Sequence, residues 1–140
     1  MALLQNYIIN TIRRTEQFLN TPKNMIFLNQ QDFLDFISKY GGSKQYDFDK
    51  IHGHHWMRPN CKLCKNCNGH YAIWINLESN KSIRRLNMTL IHEVLHTTHR
   101  GHSKLFYNKV IKTCNALFYG NNFKPYKSEE LGSRINSLVS

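Results

Sequence analysis

Four residues near the middle of the chain have the types and the spacing of a catalytic metal site: His92, Glu93, His96 and His102. Two histidines four positions apart lie on the same face of an α-helix, so both imidazoles can bind one metal ion. Glu93 is rotated by about 100° from His92, which suits contact with a water molecule on that metal better than ligation. Three neutral nitrogens and a water molecule coordinate a catalytic zinc, whereas a structural zinc has four protein ligands. The pattern therefore predicts a Zn²⁺ site with three histidine ligands and Glu93 as general base.

The segments around the motif predict a buried helix, a glycine turn and a second helix. Apolar side chains surround the motif: Leu90, Ile91, Val94 and Leu95. Gly101 stands where a helix commonly ends in a left-handed residue, and Ser103 can cap the next helix. Apolar spacing then predicts a helix built on Leu105, Phe106, Val110, Ile111, Leu117 and Phe118. The alternative is a helix with two surface histidines and a chance glutamate. A chance motif of that kind would not usually be accompanied by these apolar residues and by a histidine after the glycine turn.

A resemblance to a known family lies in the stretch IHEVLHTTHRGHSKLFYNKV. It is similar to the metal-binding segment of the minimal zinc metallopeptidases, the group that includes YgjP-like, WLM and SprT-like proteins. The matching positions are His92, Glu93, His96 and His102, followed by Ser103 and the aromatic pair Phe106 and Tyr107. The resemblance spans about residues 72–118, and it implies a zincin-like fold, a catalytic zinc and hydrolysis of peptide bonds in a protein or peptide substrate.

The histidine spacing also equals that of metzincins, but two features differ. Metzincins have glycine where this chain has His99, and they have a methionine turn downstream of the motif. All the methionines of this chain precede the motif: Met1, Met25, Met57 and Met88. SprT-like proteins usually place the third histidine farther along the chain, so YgjP-like and WLM proteins are the closer match.

The motif and the resemblance together predict a zinc metallopeptidase. Zinc would lower the pKa of its water molecule toward about 7 and polarise the scissile carbonyl. Glu93 would take the proton of that water and pass it to the leaving amine. The sequence does not identify a further stabiliser of the oxyanion, for which His99 and Tyr107 are the nearest candidates. The rival interpretation is a non-catalytic, zinc-stabilised nucleic-acid-binding module; Glu93 argues against it, because zinc binding does not require that carboxylate.

A second metal site is predicted from three cysteines at intervals of three: Cys61, Cys64 and Cys67. Such spacing suits a tetrahedral zinc with sulfur and nitrogen ligands. His70 is the first candidate for the fourth ligand, because Gly69 allows the chain to turn back, and His55 is the second. This insertion at about residues 52–70 would join two strands. An iron–sulfur cluster is less expected, because Cys114 lies beyond the histidine motif, and a reduced loop without metal is the remaining alternative.

The charge of the chain is strongly positive and unevenly distributed. The net charge is +10, and the segment from Lys50 to Lys127 contains thirteen Lys and Arg but two acids. Such a field attracts polyanions, so DNA or RNA is a predicted partner. Three candidate phosphate-binding residues follow the third ligand: Lys104, Lys109 and Lys112. Some WLM and SprT-like proteins cleave proteins crosslinked to DNA, and the resemblance extends to this arrangement; the plain alternative is a solvated helix face.

The predicted fold class is α+β: a small zincin-like single domain, residues 1–140, with the metal-binding helix packed on a short β-sheet and a Cys-rich insertion. Periodicity predicts helices at Leu3–Leu19, Gln31–Tyr40, Ser103–Tyr119 and Ser128–Leu138, with a loop at Gly120–Lys127 and a metal helix that opens within Asn80–Ile83. Strands are expected at Met25–Leu28, Tyr46–Trp56 and Tyr71–Leu77. In the zinc peptidases, a strand placed like Tyr71–Leu77 borders the cleft and pairs with extended substrate; an ordinary core strand is the equal alternative.

Two sequence features bear on location. No apolar run approaches the roughly 20 residues that a membrane span needs. The N-terminal stretch lacks the basic start and the uninterrupted apolar segment of a secretion signal. We therefore expect an intracellular monomer without membrane partners, in which the cysteines are reduced or metal-bound, and the nucleic-acid hypothesis adds the nucleus as a location.

Overall fold

The structure is a computed structural model that describes residues 2–42, 48–61 and 68–120. Its helices are α1 (Ala2–Leu19), α2 (Gln30–Lys39), α3 (Ile83–Leu95) and α4 (Lys104–Cys114). Its strands are β1 (Met25–Phe27), β2 (Gly53–Arg58) and β3 (His70–Ile75). A single 3₁₀ turn at Phe48–Lys50 precedes β2, and a π-helical turn at Asn115–Tyr119 follows α4. The predicted loop at Gly120–Lys127 and the helix at Ser128–Leu138 lie beyond the described residues, apart from Gly120.

The strands form one three-stranded sheet in the order β1-β3-β2. β1 runs parallel to β3, and β2 runs antiparallel to it. Helices α1 and α3 pack on one face through an apolar core that contains Ile8, Ile12, Ile73, Ile75, Leu86, Leu90 and Val94. Helix α2 packs on the other face through Phe33, Ile37, Ile51, Ala72 and Trp74. The described residues thus form a small α+β domain, which confirms the predicted class.

The central strand β3 has the predicted alternation but not the position of an edge strand. Ile73 and Ile75 belong to the core on the α3 side, whereas Trp74 belongs to the core on the α2 side. β3 is hydrogen-bonded on both sides, because it lies between the other two strands. The suggestion that this strand pairs with substrate is therefore wrong. Within the described residues, β2 is the edge strand next to α3.

Two predicted elements have different boundaries in the structure. Within the described part of the strand expected at Tyr46–Trp56, Phe48–Lys50 is a 3₁₀ turn and the strand begins only at Gly53. The Asn76 amide donates to the carbonyls of Phe48 and Ile51 at 3.2 and 3.0 Å, in place of strand pairing. The helix predicted at Ser103–Tyr119 is α-helical only from Lys104 to Cys114 and then widens into the π-helical turn. Leu105, which was expected to point inward, is 64% exposed.

Helix α3 lies at the centre of the molecule. The sheet and α1 pack on one side of it, and α4 packs on the other side through Met88, Ile91, Leu95, Phe106, Tyr107, Val110 and Cys114. Every side chain of α3 from Leu86 to Leu95 is buried. Among the helices of the described residues, none combines the length and the apolar character that a membrane crossing requires.

Candidate metal centre

The buried helix α3 positions the first two histidines and the glutamate of the motif. The Ser82 hydroxyl caps the helix by accepting a hydrogen bond from the Arg85 N–H at 3.1 Å. His92 and Glu93 are both 0% exposed, and His96 closes the last turn of the helix. Because apolar cores pack on both sides of α3, these polar side chains are fixed by their surroundings as well as by the helix.

A tight turn brings the third histidine back to the helix. Gly101 has φ +78°, a left-handed conformation that side-chain-bearing residues adopt at a cost, as its place after the helix predicted. Ser103 then caps α4 by accepting a hydrogen bond from the Phe106 N–H at 3.2 Å. His102 lies between these two residues, and the predicted order of helix, glycine turn, His102 and helix is confirmed.

Three imidazole nitrogens converge at this point. Nε2 of His96 lies 3.1 Å from Nε2 of His92 and 3.0 Å from Nε2 of His102. The ligand atoms of all three side chains lie within 4.8 Å of one another, so the group could hold a metal ion. Two nitrogens bound to a tetrahedral zinc at about 2.05 Å are about 3.3 Å apart. The distances from Nε2 of His96 to the other two nitrogens therefore need to increase by only a few tenths of an ångström to accommodate zinc.

The His96 ring has the orientation of a metal ligand. Its Nδ1 lies 3.0 Å from the backbone oxygen of His99, to which it can donate its proton. That bond leaves the lone pair of Nε2 facing the other two imidazoles. Histidines that bind metals usually donate their other ring N–H to a carbonyl or carboxylate oxygen in this way. Nδ1 of His92, by contrast, is buried without a hydrogen-bond partner.

Burial favours the neutral form of all three imidazoles, which is the form that binds metals. Desolvation lowers the pKa of His92 well below its usual value, and the neighbouring histidines lower it further. Burial lowers the pKa of His96 to about 4, although the hydrogen bond to His99 acts in the other direction. The pKa of His102 is lowered by the same cause. Neutral rings can either direct their Nε2 lone pairs at a common cation or share an N–H···N hydrogen bond, depending on the tautomer.

Glu93 is a buried carboxyl group without compensation in the described structure. Both of its oxygens are buried and have no hydrogen-bond partner. Burial raises its pKa well above the usual value. The edge strand passes close by, since a Cβ at Gly53 would lie 3.1 Å from Oε2 of Glu93 and 3.0 Å from the backbone oxygen of Trp74. A side chain at position 53 would therefore require β2 or the Glu93 side chain to shift by a few tenths of an ångström.

Two aromatic residues of α4 form the wall opposite the sheet. Phe106 stacks on the His96 ring at 4.6 Å between centroids, with an interplanar angle of 21°. Tyr107 lies 6.0 Å from the rings of both His92 and His102. Its hydroxyl is buried without a hydrogen-bond partner, and burial together with the charge of Glu93 raises its pKa to about 12.

Of the two side chains considered as oxyanion stabilisers, only Tyr107 faces the histidine cluster. Both ring nitrogens of His99 are engaged elsewhere: Nδ1 lies 2.8 Å from the Thr98 hydroxyl, and Nε2 lies 2.9 Å from the ammonium group of Lys109. His99 contributes its backbone carbonyl to His96 instead. Sequence alone could not separate the two, because the direction of a side chain depends on the packing of α4.

A buried polar network below the end of α3 was not predicted. Its centre is Asn24, which is 1% exposed and whose amide donates to Oε2 of Glu16 at 2.9 Å and to the Thr97 hydroxyl at 3.1 Å. The Asn24 oxygen lies 3.0 Å from Nε2 of His55, and burial lowers the pKa of His55 to about 3, so this ring is a neutral donor. Thr97 directly follows His96, so the network ties α1 and β2 to the end of α3.

The cysteine site stays a prediction. Cys61 is partly buried, whereas Cys64 and Cys67 fall outside the described residues. His70 begins β3 opposite Arg58, and its ring stacks on Tyr40 at 3.6 Å between centroids. The predicted insertion at about residues 52–70 contains β2 itself, so its expected boundary is wrong, and the cysteines fall in the shorter connection between the paired strands β2 and β3.

The three lysines are exposed on α4, as expected. Lys104, Lys109 and Lys112 lie on the side of the helix opposite the buried Phe106 and Val110. Lys109 also contacts the His99 ring, so it supports the loop that carries the hydrogen-bond acceptor of His96. Its replacement would disturb this loop as well as the surface charge.

No protein-family model, curated protein or solved structure matches the chain. The chemistry of the centre is therefore inferred from its own residues and their geometry.

Proposed function

We propose that the chain is a zinc-dependent peptidase of zincin-like architecture, in which His92, His96 and His102 hold Zn²⁺ and Glu93 is the general base. The observation that carries this proposal is the carboxyl group of Glu93, buried and unpartnered beside three converging imidazoles. A site that only binds zinc has no use for this group. Its burial without a partner is destabilising, which fits a residue retained for chemistry.

The donor set favours zinc and leaves room for a reaction. Neutral imidazole suits zinc among the common metal ions, and three histidines leave the fourth tetrahedral position to water or substrate. Zinc bound here would supply a Lewis acid that lowers the pKa of a water molecule and polarises a carbonyl group. Burial of the site strengthens every electrostatic interaction within it.

Glu93 has the environment of a proton acceptor that works near neutral pH. Burial raises its pKa, and a nearby cation would oppose that rise by favouring the carboxylate. A general base is most effective when its pKa lies close to the working pH. In the proposed reaction Glu93 removes a proton from the attacking water, and the same proton is delivered to the amine nitrogen as the peptide bond breaks.

The position of β2 supports a peptide as the substrate. Within the described residues β2 is an edge strand, and its Gly53 lies against Glu93. An extended peptide can add to such an edge through backbone hydrogen bonds, and this addition would bring a peptide bond to the glutamate. The zinc-peptidase resemblance implies this arrangement, with β2 taking the part first expected of β3.

The second candidate function is a zinc-stabilised nucleic-acid-binding module. Three exposed lysines follow the third ligand on α4, and the sequence has no acidic residue between Glu93 and Glu129. The two functions are compatible, since a basic surface could bring proteins associated with DNA or RNA to the peptidase site.

The experiment that tests the peptidase is the change Glu93→Gln. Glutamine is nearly isosteric but cannot accept the water proton at neutral pH. The variant should keep its zinc and its fold but lose hydrolysis of a peptide library that wild type cleaves. Glu78→Gln, at an exposed position, is the matched control and should cleave as wild type does. Equal cleavage by the Glu93 variant and wild type would exclude Glu93 as the base, and zinc binding without any cleavage would favour the nucleic-acid module.

A further inference from the structure

The Tyr107 hydroxyl is a buried donor that the proposed reaction has not yet used. Tyr107 is 6% exposed, and its hydroxyl has no hydrogen-bond partner. The ring packs beside His92 and His102, two of the three histidines of the cluster.

Packing alone does not explain this hydroxyl. The adjacent Phe106 fills its place against His92 and His96 with an aromatic ring that has no polar atom. Phenylalanine at position 107 would keep the same ring, whereas a buried hydroxyl without a partner is destabilising. The hydroxyl therefore becomes favourable only when something with a hydrogen-bond acceptor enters the space beside the histidines.

We propose that Tyr107 is a second catalytic residue, whose hydroxyl donates a hydrogen bond to the substrate carbonyl oxygen as water adds and that oxygen gains negative charge. The proposal rests on the proposed peptidase function. A phenol keeps its proton at neutral pH and so is available as a donor. Donors fixed in advance at the position of developing charge are among the largest contributions to catalysis.

Other side chains near the cluster fit this role less well. Both ring nitrogens of His99 already have partners. Nε1 of Trp74 is also buried without a partner, but Trp74 belongs to the core on the α2 face of the sheet. His55 is engaged with Asn24. Tyr107 alone combines an unpartnered hydroxyl with contact to two of the proposed ligands, among the described residues.

The test compares Tyr107→Phe with Tyr7→Phe, which removes a hydroxyl that does have a partner. Tyr7 on α1 donates to Oδ1 of Asn87 on α3. Loss of that bond should lower the melting temperature and leave kcat unchanged. Tyr107→Phe should do the opposite: the metal-free protein should melt at the same or a higher temperature, zinc content should be unchanged, and kcat should fall about 100-fold with little change in KM.

A second measurement does not depend on turnover. A phosphonamidate peptide with the sequence of a cleaved substrate places a charged oxygen where the carbonyl oxygen would be. Calorimetric titration of zinc-loaded protein should show that Tyr107→Phe weakens its binding at least tenfold, whereas Tyr7→Phe does not.

The outcomes separate this proposal from the peptidase itself. If wild type cleaves peptides and Glu93→Gln does not, the peptidase stands. Equal kcat for Tyr107→Phe and wild type would then overturn only the role of Tyr107. A reduced kcat with unchanged affinity for the phosphonamidate would also overturn it, because the hydroxyl would then act on Glu93 rather than on the substrate oxygen. A wild type that neither cleaves peptides nor binds the phosphonamidate would overturn both.

Discussion

The burial of Glu93 predicts a specific pH dependence of stability in the metal-free protein. Burial holds the pKa of Glu93 in the folded protein well above the ordinary value of 4.5, whereas the unfolded chain titrates near that ordinary value. Between the two pKa values the folded state binds more protons than the unfolded state. The contribution of Glu93 to the free energy of unfolding therefore falls as pH rises through this window.

The size of the effect follows from the transfer of one proton. Within the window, stability should decline by about 1.4 kcal/mol for each pH unit because of Glu93 alone. The buried histidines also titrate, but their lowered pKa values make stability rise with pH below about 6.5. A direct comparison of wild type with Glu93→Gln cancels the histidine contribution, because both proteins contain the same imidazoles.

The assay is urea unfolding of both proteins after removal of metal with a chelator, at half-unit steps from pH 4.5 to pH 7.5. The stability of Glu93→Gln relative to wild type should increase with pH at a slope approaching about 1.4 kcal/mol per unit. Zinc should abolish or reverse the trend, since a cation beside the carboxylate favours its charged form. If the difference in the free energy of unfolding between the two proteins does not change with pH, Glu93 is not a buried carboxyl group without a partner.

Three further predictions concern the network, the second metal and the surface. Asn24→Ala removes three side-chain hydrogen bonds and should lower the free energy of unfolding by about 3 kcal/mol, whereas the exposed Asn108→Ala should change it by less than about 0.5 kcal/mol in the same urea assay. Replacement of Cys61, Cys64 and Cys67 by serine should remove one zinc per chain and lower stability, while the histidine site still binds zinc. Elemental analysis that finds one zinc per chain both before and after the change would exclude the cysteine site. The double change Lys104→Glu and Lys112→Glu should weaken the binding of DNA or RNA by the same factor for all base sequences, and the affinity of the variant should depend less on salt. Hydrolysis of a short free peptide should stay unchanged. Lys109 is left intact in that variant because it contacts His99. Affinity is measured by anisotropy titrations at about 50 and 200 mM salt. If the variant and wild type bind nucleic acid with equal affinity, Lys104 and Lys112 belong to an ordinary solvated helix face.

The parts of the site that depend on local spacing could be predicted from the sequence. A helical interval of four residues brings His92 and His96 to one face, and Gly101 reverses the chain so that His102 joins them. Each step involves residues within ten positions of one another. The same holds for the alternation of β3, whose two faces followed from Ile73 and Trp74.

The parts that depend on long-range pairing could not be predicted. The order of strands is set by which edges meet, so the sequence did not reveal that β3 is central and that β2 borders the site. Asn24 joins Thr97 across 73 positions, and an isolated asparagine in a loop gives no sign of such a partner. The inward direction of Tyr107 likewise depends on which face of α4 packs against α3.

The placement of α3 explains how the fold can retain so many buried polar groups without partners. If α3 lay on the surface, Glu93 could turn toward water, and Tyr107, which packs against α3 from α4, would also be open to solvent. Here the sheet and α1 pack on one side of the helix and α4 on the other, so the carboxyl group and the hydroxyl cannot leave the site. The apolar cores thus offset the unfavourable burial, and the groups stay available for a ligand that satisfies them. The buried groups of the site therefore lower the stability of this small domain, and they are held in advance in the positions that the proposed chemistry needs.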